Sequence, residues 1–370
     1  MSVTNAHRPS LIPMEPLRGD AVKRMSIGTL DEQGAVRRRQ RFRVAAGACA
    51  AFFIVTLALR VASSRARAPT TDEWAPAWDL AAELRAATRA AGDALMPLSV
   101  TQSRYADGCL VLEAPRHEIH KFDGDPFAQQ NLDGALVVRL TVFEDYALVL
   151  NKYPAFEDHA LLVTNANVPQ ARRLDRDDLD ALHRCAAATK GLGFYNSDEK
   201  AGASQPHRHF QVVPGASFVV EEWDEEWPPI ARDVEALPRA PWRWSGRAPF
   251  RPVVQTVPRF ADIAHGVVLL PPRATFRVDF STDGSYADAL LRAYALLLHD
   301  LDLLNGESHN MLMGRGWLLV VARQQREAGG VDVNALGFAG CLLARDAATF
   351  AALARPGACG EVLRGAAVPS

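Results

Sequence analysis

The chain has 370 residues, which suits two domains, or one large domain, together with an extension. Its 41 basic and 43 acidic residues leave a net charge of −2, and this balance argues against a general nucleic-acid binder, which carries a basic excess. Hydrophobic residues make up 48% of the chain, enough for a buried core. The five cysteines form no Cys-x-x-Cys pair, so they predict buried thiols rather than a disulfide framework or a zinc site.

The N-terminal segment differs from the rest of the chain. Residues 1–43 are polar and end in an arginine-rich run, and residues 44–62 are almost entirely apolar. A membrane-spanning helix needs about 20 apolar residues, and the arginine excess before the segment predicts a cytosolic N-terminus. Three interpretations remain open: a single-pass signal anchor, a cleaved signal or organelle-targeting leader, and a buried helix. The expected location is therefore membrane-anchored or organelle-targeted, with the remainder of the chain as a soluble domain.

Beyond a linker at 63–71, the first half alternates helix and strand patterns. Hydrophobic residues at helical spacing predict helices over 74–95 and 174–189, and apolar runs predict strands over 136–142, 146–151 and 159–164, the first two joined by a tight turn. The acidic first turn of the last helix suits the positive end of its dipole. Residues 116–127 are dense in charges and turn formers, which predicts a loop.

The most informative stretch is residues 202–214. His207, His209 and Gln211 are two residues apart, so on an extended strand they project from one face, while Arg208 and Phe210 project from the other. The small residues 202–205 precede this strand and can bring backbone N–H groups close to an anion. Two imidazoles and an amide beside such a loop predict a phosphate-handling site.

The second half repeats the strand and helix order without a second His-x-His. We expect a helix within 218–227, a domain boundary over 239–258 and a strand over 263–270. A helix over 286–304, a hairpin turning at 314–316 and a strand over 333–343 follow. The predicted domains are therefore a catalytic one at 72–240 and a C-terminal one at 248–365.

Four collinear motifs carry a family resemblance. They are Asn151-Lys-Tyr-Pro with His159-Ala-Leu-Leu-Val-Thr-Asn165, Gly202-Ala-Ser-Gln-Pro-His-Arg-His-Phe-Gln211, Asn310-Met-Leu-Met-Gly-Arg-Gly-Trp317, and Val333-Asn-Ala-Leu-Gly-Phe-Ala-Gly340. Together they resemble the ATP adenylyltransferase (diadenosine tetraphosphate phosphorylase) family of the histidine-triad superfamily, from about Trp74 to the C-terminus. The resemblance implies an α+β fold: a histidine-triad-like antiparallel sheet with flanking helices, in two lobes, preceded here by the hydrophobic extension.

The resemblance also implies the chemistry. His209 is the expected nucleophile, which forms an AMP-histidine intermediate in the cleavage of diadenosine tetraphosphate, and inorganic phosphate then releases ADP. His207 is expected to orient the site. Gln211 donates an amide hydrogen bond to a phosphate oxygen. Because the hydrolase branch of the superfamily has a third histidine at this position, Gln211 favours transfer to phosphate over transfer to water.

Further residues are implied as substrate contacts by the same resemblance. They are Lys121, Asn151, Lys152, Asn196, Gly202, Ala203, Ser204, Gln205, Asn310, Met313 and Arg315. His159, at the head of its strand, reads as an ordinary strand-end histidine. Where the family often has a Ser-Gly pair before this loop, the chain has Lys200-Ala-Gly202, which leaves the base preference open. The expected partners are a dinucleoside polyphosphate, ATP, ADP and phosphate. No protein-bound metal is expected, although Mg²⁺ can accompany the nucleotide.

Two rival functions share part of this pattern. Hexose-1-phosphate uridylyltransferases use the same chemistry but usually have a proline between the histidines and carry metal-binding residues, and neither feature is seen here. A phosphorylase or transferase acting on a GDP- or UDP-hexose remains open. A membrane-tethered, non-catalytic nucleotide sensor is the alternative from another class, although it gives no reason to keep both histidines and the glutamine.

Overall fold

The core of the molecule is a nine-stranded sheet in which every pair of neighbouring strands is antiparallel. The computed structural model describes residues 79–96, 100–114, 124–220, 223–238, 251–270 and 286–370, all of which belong to one compact unit, Pro76–Ser370. The strand order is β3-β4-β5-β7-β6-β10-β11-β9-β8. A separate three-stranded sheet has the order β1-β2-β14, and β12 pairs with β13.

The strands are β1 (Gln102–Ala106), β2 (Cys109–Glu113), β3 (Val137–Val142), β4 (Tyr146–Leu150), β5 (Ala160–Thr164), β6 (Leu192–Asn196), β7 (His209–Val213), β8 (Val254–Gln255), β9 (His265–Leu269), β10 (His309–Gly314), β11 (Trp317–Ala322), β12 (Glu327–Ala328), β13 (Val331–Asp332) and β14 (Cys341–Ala344). The helices are α1 (Leu80–Ala91), α2 (Arg176–Ala188), α3 (Ile230–Glu235), α4 (Tyr286–Asp300), α5 (Ala335–Phe338), α6 (Ala347–Leu353) and α7 (Ala358–Ala366).

The sheet joins two similar halves of the chain. The succession β4-β5-α2-β6-β7 is followed later by β8-β9-α4-β10-β11, and the two sets lie in the sheet in mirrored order. They meet where β6 pairs with β10, with Asn196 opposite Asn310. The predicted repetition of strand and helix order is therefore present, and one hydrogen-bonded sheet runs through both halves. The domain boundaries themselves stay a prediction.

One face of the sheet is covered by α1, α2 and α4, and we call the apolar layer between them the helix-side core. Leu179, Leu182 and Ala186 of α2 are buried, as their spacing predicts. The helix begins at a capping box, because the Asp175 carboxylate accepts the N–H groups of residues 177 and 178 while Asp178 accepts the N–H of residue 175. The hydrophobic pattern and the cap together place α2 against the sheet.

The opposite face of β6, β10, β11 and β9 packs against the small sheet and the C-terminal helices, and we call this layer the C-terminal core. Phe194 of β6 belongs to this core and is paired with Gln211 of β7. The side chain of Gln211 therefore projects from that face. Because most residues of this core come from the C-terminal half of the chain, the face of β7 that carries Gln211 lies beside that half.

Several predicted elements agree with the structure. The strands at 136–142, 146–151 and 159–164 and the helix at 174–189 are present to within two residues at each end, and the helix expected at 286–304 runs over Tyr286–Asp300. The hairpin at 314–316 joins β10 to β11. The four cysteines that the structure describes are buried thiols without disulfides, as expected.

Two predicted elements are wrong. No helix contains both Trp223 and Trp227; instead Trp223 N–H bonds to the carbonyl of Val220, and its indole N–H donates to the carbonyl of Trp227 at 2.6 Å. The strand expected over 333–343 is instead α5 followed by β14. The Asn334 side chain caps α5 by accepting the N–H of Leu336, and Gly340, at φ +89°, turns the chain into β14. These local capping and turn contacts outweigh the apolar pattern.

The hydrophobic segment at 44–62 and Lys121 lie outside the described residues, as do residues 74–78 of the predicted first helix. Across the parts of the chain that the structure describes, none of the helices combines the length and apolar character needed to cross a bilayer.

Candidate active site

The strand that contains His209 alternates as its sequence predicts. Phe210 lies in the helix-side core, and the buried Arg208 forms an ion pair with Asp178 of α2 at 2.5 Å. Tyr146 donates a hydrogen bond to the other oxygen of this carboxylate at 2.9 Å. The side chains of Arg208 and Phe210 thus project to the helix side of the sheet. The side chains of His207, His209 and Gln211 project to the other face.

His209 is 3% exposed, and its protonation is set by its neighbours. Its Nδ1 lies 2.8 Å from the backbone carbonyl oxygen of His207. Because a carbonyl only accepts, Nδ1 carries the proton and Nε2 keeps its lone pair. Burial lowers the pKa of His209 to about 4. The imidazole is therefore neutral at physiological pH, which is the form that can attack phosphorus.

His207 is held on both sides of its ring. Its Nδ1 lies 2.7 Å from Oδ2 of Asp125, and its Nε2 lies 2.8 Å from the backbone carbonyl oxygen of Thr164 and 3.0 Å from the Thr164 hydroxyl. That hydroxyl donates its own hydrogen to the carbonyl of Ala166. Each ring nitrogen of His207 therefore faces an oxygen acceptor, so His207 is anchored and is not free to act as a general base.

A phenylalanine completes the surroundings of the two histidines. The ring centroid of Phe127 is 5.0 Å from that of His209 and 6.0 Å from that of His207. The Phe127 N–H donates to Oδ1 of Asp125 at 2.9 Å. The short segment at 125–127 thus supplies both a carboxylate for His207 and an apolar surface beside His209.

His159 lies on the same sheet face as Gln211 and is buried, and burial lowers its pKa to about 4. Its Nδ1 accepts the N–H of Ala155 at 3.2 Å, so Nε2 carries the proton of the neutral ring. Among the described residues, that Nε2 has no hydrogen-bond partner within normal distance. His159 is thus a buried histidine at the head of its strand, beside the end of the site that carries Gln211. The Nδ2 of Asn151 lies 3.4 Å from Nδ1 of His159, whereas Lys152 is exposed. The predicted contacts Asn151 and Lys152 thus sit at the Gln211 end of the site.

In the loop at 202–205, which was expected to bind phosphate through its backbone, some of the N–H groups are already hydrogen-bonded within the loop. The N–H of Gly202 donates to the carbonyl of Glu199 at 3.0 Å, and the N–H of Ala203 donates to the carbonyl of Asp198 at 2.8 Å. These two N–H groups form a turn and are not directed at a ligand, so the prediction is wrong for them. Ser204 is exposed and Gln205 is half-buried, and only Pro206 separates them from His207. This part of the loop remains a candidate phosphate contact.

Asn196 and Asn310, which the sequence places 114 residues apart, form a hydrogen bond of 2.8 Å between Nδ2 of Asn310 and Oδ1 of Asn196. Oδ1 of Asn196 also accepts the N–H of Ala335 at 2.9 Å. Among the described residues, the buried Nδ2 of Asn196 has no hydrogen-bond partner. An unpaired donor of this kind is costly unless a ligand uses it.

Arg323 supports the same loop from behind. Its guanidinium, 4% exposed, donates to Oδ1 of Asn310 and to the carbonyl oxygens of Ala201, Val333, Gln325 and Ala366. Burial lowers the pKa of Arg323 to about 10, so it stays charged at neutral pH. No carboxylate of the described residues forms an ion pair with it. The structure therefore buries a cation behind the loop that precedes His207.

Two predicted contacts are not brought to this site. Met313 lies in the helix-side core, because it is three residues beyond Asn310 on β10 and so projects from the opposite face. Arg315 is exposed on the β10–β11 turn, which at strand spacing lies roughly 16 Å from Asn310. The prediction is therefore wrong for Met313, whose side chain faces away from Asn310, whereas a substrate contact from Arg315 stays a prediction.

Three residues of the site were not predicted from the sequence: Asp125, Thr164 and Arg323. Asp125 lies in a Gly-Asp-Pro-Phe run that indicates only a turn, and Thr164 is the last residue of a predicted strand. Arg323 follows the apolar run of a predicted hairpin strand. None of the three carries a local signal, since each acts through a segment that is distant in the sequence.

A buried, neutral histidine that retains one lone pair, beside a second histidine held by a carboxylate, is the arrangement that nucleophilic catalysis by histidine requires. Comparison with known proteins is specific. The Ap4A phosphorylase N-terminal domain family matches residues 113–229, and the ATP adenylyltransferase C-terminal domain family matches residues 263–369. Together these ranges span more than half of the chain.

Solved and characterised relatives agree with these matches. Diadenosine 5',5'''-P1,P4-tetraphosphate phosphorylase 2 of Saccharomyces cerevisiae is 26% identical over 249 residues, which are 60% of this chain and 69% of the yeast protein. Crystal structures of yeast Ap4A phosphorylase Apa2 superpose with TM-scores of 0.62 for the AMP complex and 0.60 for the Ap4A complex. Their identities are 24% and 25%; both cover 79% of this chain, and 97% and 98% of the yeast chain. The chain belongs to the Ap4A phosphorylase and ATP adenylyltransferase family of nucleotidyltransferases.

Proposed function

We propose that the protein cleaves diadenosine tetraphosphate (Ap4A) with inorganic phosphate to give ATP and ADP, through an AMP group bound to His209. The observation that carries this proposal is the hydrogen bond from Nδ1 of His209 to the His207 carbonyl, together with the low pKa that burial gives the ring. They leave Nε2 as an uncharged nucleophile at neutral pH. The same reaction run backwards makes Ap4A from ATP and ADP.

In the first half of the reaction, Nε2 attacks the phosphorus of an adenylyl group and ATP leaves. The bond from phosphorus to the bridging oxygen breaks as the phosphorus–nitrogen bond forms. The ring then has substituents on both nitrogens and becomes positively charged. The carbonyl oxygen of His207 accepts the Nδ1 hydrogen and stabilises that charge.

In the second half, an oxygen of inorganic phosphate attacks the same phosphorus, the phosphorus–nitrogen bond breaks, and ADP is released with His209 again neutral. Two in-line displacements retain the configuration at phosphorus. Ap4A is symmetric, so attack on either of its two end phosphorus atoms separates one AMP group from ATP.

Gln211 and Asn196 are suited to the oxygens of the adenylyl phosphorus. Gln211 follows His209 by two residues on the same face and is only half-buried. Its amide donates a hydrogen bond but has no proton to give to a leaving group. The unpaired Nδ2 of Asn196 is a second donor of the same kind. We assign both as contacts to non-bridging phosphate oxygens, with Ser204 and Gln205 on the remaining phosphates.

Two further proposals concern the surroundings of the reaction. A divalent cation such as Mg²⁺ enters with the polyphosphate, because phosphate oxygens are its usual ligands. The apolar segment at 44–62 anchors the chain in a membrane with its N-terminus on the cytosolic side. Carbonate extraction of membranes that contain the full chain tests the anchor: a protein that is released entirely has none.

The experiment for the proposed function is an incubation with Ap4A in the presence and absence of phosphate, followed by separation of the nucleotides. Phosphate-dependent formation of equal amounts of ATP and ADP supports it. ATP and AMP formed at the same rate without phosphate would make the protein a hydrolase. GDP- and UDP-hexoses are tested in parallel, since turnover of either instead of Ap4A would assign the site to a different donor.

A further inference from the structure

We infer that Gln170 is a positioning residue for the nucleophile, and this inference rests on the proposed function of His209. Gln170 is 3% exposed and lies in the connection between β5 and α2, far from the His-x-His-x-Gln motif in sequence. Its position follows from a gap in the sheet beside His209.

The gap arises because β6 accompanies only the later part of β7. On one edge, β5 accompanies β7 from Val163 opposite His209 onwards. On the other edge, β6 pairs with β7 only from Gln211 to Val213, so this pairing does not reach His209. The segment 168–170 is bonded to the residues that precede His209: the N–H of Arg208 donates to the carbonyl of Val168 at 2.7 Å, and the N–H of Gln170 donates to the carbonyl of Pro206 at 2.6 Å. These backbone bonds hold Gln170 beside the start of β7.

The side chain of Gln170 fills this gap. Its Oε1 accepts the backbone N–H of His209 at 2.8 Å, and its Nε2 donates to the backbone carbonyl of His209 at 3.2 Å. Nε2 also donates to the carbonyl of Asn196 at 2.7 Å. A carboxamide has the same donor and acceptor as a peptide group, so Gln170 acts as one residue of a missing strand.

This arrangement fixes the direction of the imidazole. Nδ1 of His209 is bound to the carbonyl of His207, and the backbone of His209 is bound to Gln170, so the ring and the residue that carries it are both held. The same amide reaches Asn196, whose side chain is bonded to Asn310. Gln170 thus links the nucleophile to the loop that precedes it.

The chemistry at this position admits few replacements. Glutamate would direct a second acceptor at the carbonyl oxygens of His209 and Asn196. Asparagine keeps the amide but is one methylene shorter, and methionine keeps the length without the amide. Because all the contacts above are to protein groups, loss of the amide is expected to affect the transfer step rather than nucleotide affinity.

The test compares the variants Gln170→Asn and Gln170→Met with the unchanged full chain. Thr189→Val is a matched control, because Thr189 is also 3% exposed and its hydroxyl donates to the carbonyls of Cys185 and Ala186, at the far end of α2. Three quantities are measured: the single-turnover rate of ATP release from Ap4A, the Kd for AMP, and the NMR tautomer state of His209. Urea denaturation of each variant is also measured, to show that the variants compared are folded under the assay conditions.

We expect both Gln170 variants to release ATP about 100-fold more slowly, since small misplacements of a reacting group cost that much. The Kd for AMP is expected to change by less than about 3-fold, and the His209 ring to lose its single Nδ1-protonated form. Thr189→Val is expected to change none of the three. Rates and tautomer unchanged in a folded Gln170 variant would overturn the inference, as would equal losses in Thr189→Val.

The two proposals fail in different ways. If the unchanged protein releases no ATP from Ap4A, the proposed function fails, and the tautomer measurement still decides the role of Gln170. If the unchanged protein turns over Ap4A and the Gln170 variants match it, only the positioning role fails.

Discussion

Oδ2 of Asp125 lies 2.7 Å from Nδ1 of His207, although 82 residues separate them in the sequence. The carboxylate is about one-fifth exposed, and the imidazole is almost fully buried. Asn167 donates a second hydrogen bond to the same carboxylate oxygen at 3.2 Å. The orientation of His207, and through its carbonyl the tautomer of His209, thus depends on a loop before the first strand of the large sheet.

Replacement of Asp125 by asparagine removes the charge but keeps the shape, and replacement by alanine removes the contact. A hydrogen bond to a charged group contributes about 1.5–3 kcal/mol, so kcat/KM for Ap4A phosphorolysis should fall roughly 10- to 100-fold in Asp125→Ala and less in Asp125→Asn. Asp133→Asn is the control, because Asp133 is exposed and its carboxylate accepts the N–H of the nearby Ala135, away from the histidines. Full activity in Asp125→Ala would show that His207 needs no carboxylate.

Gly202 combines a positive φ with close packing against Asn334. Its φ is +96°, and a Cβ at this position would lie 2.7 Å from Cβ of Asn334. Gly306 has a similar φ of +90° with nothing within 4 Å, so Gly306→Ala measures the backbone strain alone. Strain of this kind costs about 1–2 kcal/mol. Gly202→Ala should lower the free energy of unfolding by more than Gly306→Ala in urea titrations, and it alone should reduce activity. Equal losses of stability would mean that Asn334 yields without cost.

Substitution of Arg323 should strongly lower the stability of the protein. Its guanidinium donates to five acceptors, and an ammonium has three donors in a different geometry. Arg323→Met leaves several buried carbonyls unpaired, and a loss of about 3–5 kcal/mol of stability is expected. Arg326→Met is the control, because Arg326 is half-buried and pairs with Asp332 at 3.4 Å, an interaction worth under about 1 kcal/mol. The two losses are compared by urea denaturation, and similar values would contradict the role given to Arg323.

Stability should fall as the pH is lowered from about 6.5 towards 4. Burial lowers the pKa of His209 and of His159 to about 4, and it lowers the pKa of His265 and His309 as well. The unfolded chain therefore binds more protons than the folded chain in this window, so the free energy of unfolding rises with pH there. A pKa difference of this size corresponds to about 3 kcal/mol for a single histidine.

The corresponding experiment is a series of urea titrations at intervals between pH 7 and 4. His209→Asn removes one of the titrating groups and should make the dependence on pH shallower by up to one proton. His299→Asn, at an exposed position near the end of α4, is measured beside it as a histidine substitution outside the buried set. A slope that His209→Asn does not alter would mean that His209 binds protons equally in the folded and unfolded chains, so that burial does not lower its pKa.

The local patterns in the sequence were sufficient for much of the fold. Short apolar runs bounded by turn residues predicted β4 and β5, period 3.6 and an acidic first turn predicted α2, and the two-residue spacing placed both histidines and Gln211 on one face. These elements follow from short-range chemistry, namely hydrophobic period and capping.

The supports of the site could not be found in this way. Asp125, Gln170 and Arg323 reach the histidine strand or its loop from segments that only the folded sheet brings near. The error at Met313 has the same origin, since its pocket role came from family resemblance and the strand alternation turned it to the helix side. In the turn at Gly202 and Ala203, the N–H groups donate to the carbonyls of Glu199 and Asp198. A loop pattern in the sequence does not specify these hydrogen-bond partners.

The most direct test of the central claim is a rapid mixing of the protein with Ap4A in the absence of phosphate. We predict release of one equivalent of ATP per active site, with AMP attached to His209 in the peptide that mass spectrometry recovers, and release of ADP when phosphate is then added. No burst in His209→Asn is part of the same prediction. Phosphate-dependent turnover with no adenylylated histidine, or with AMP on another residue, would contradict the account.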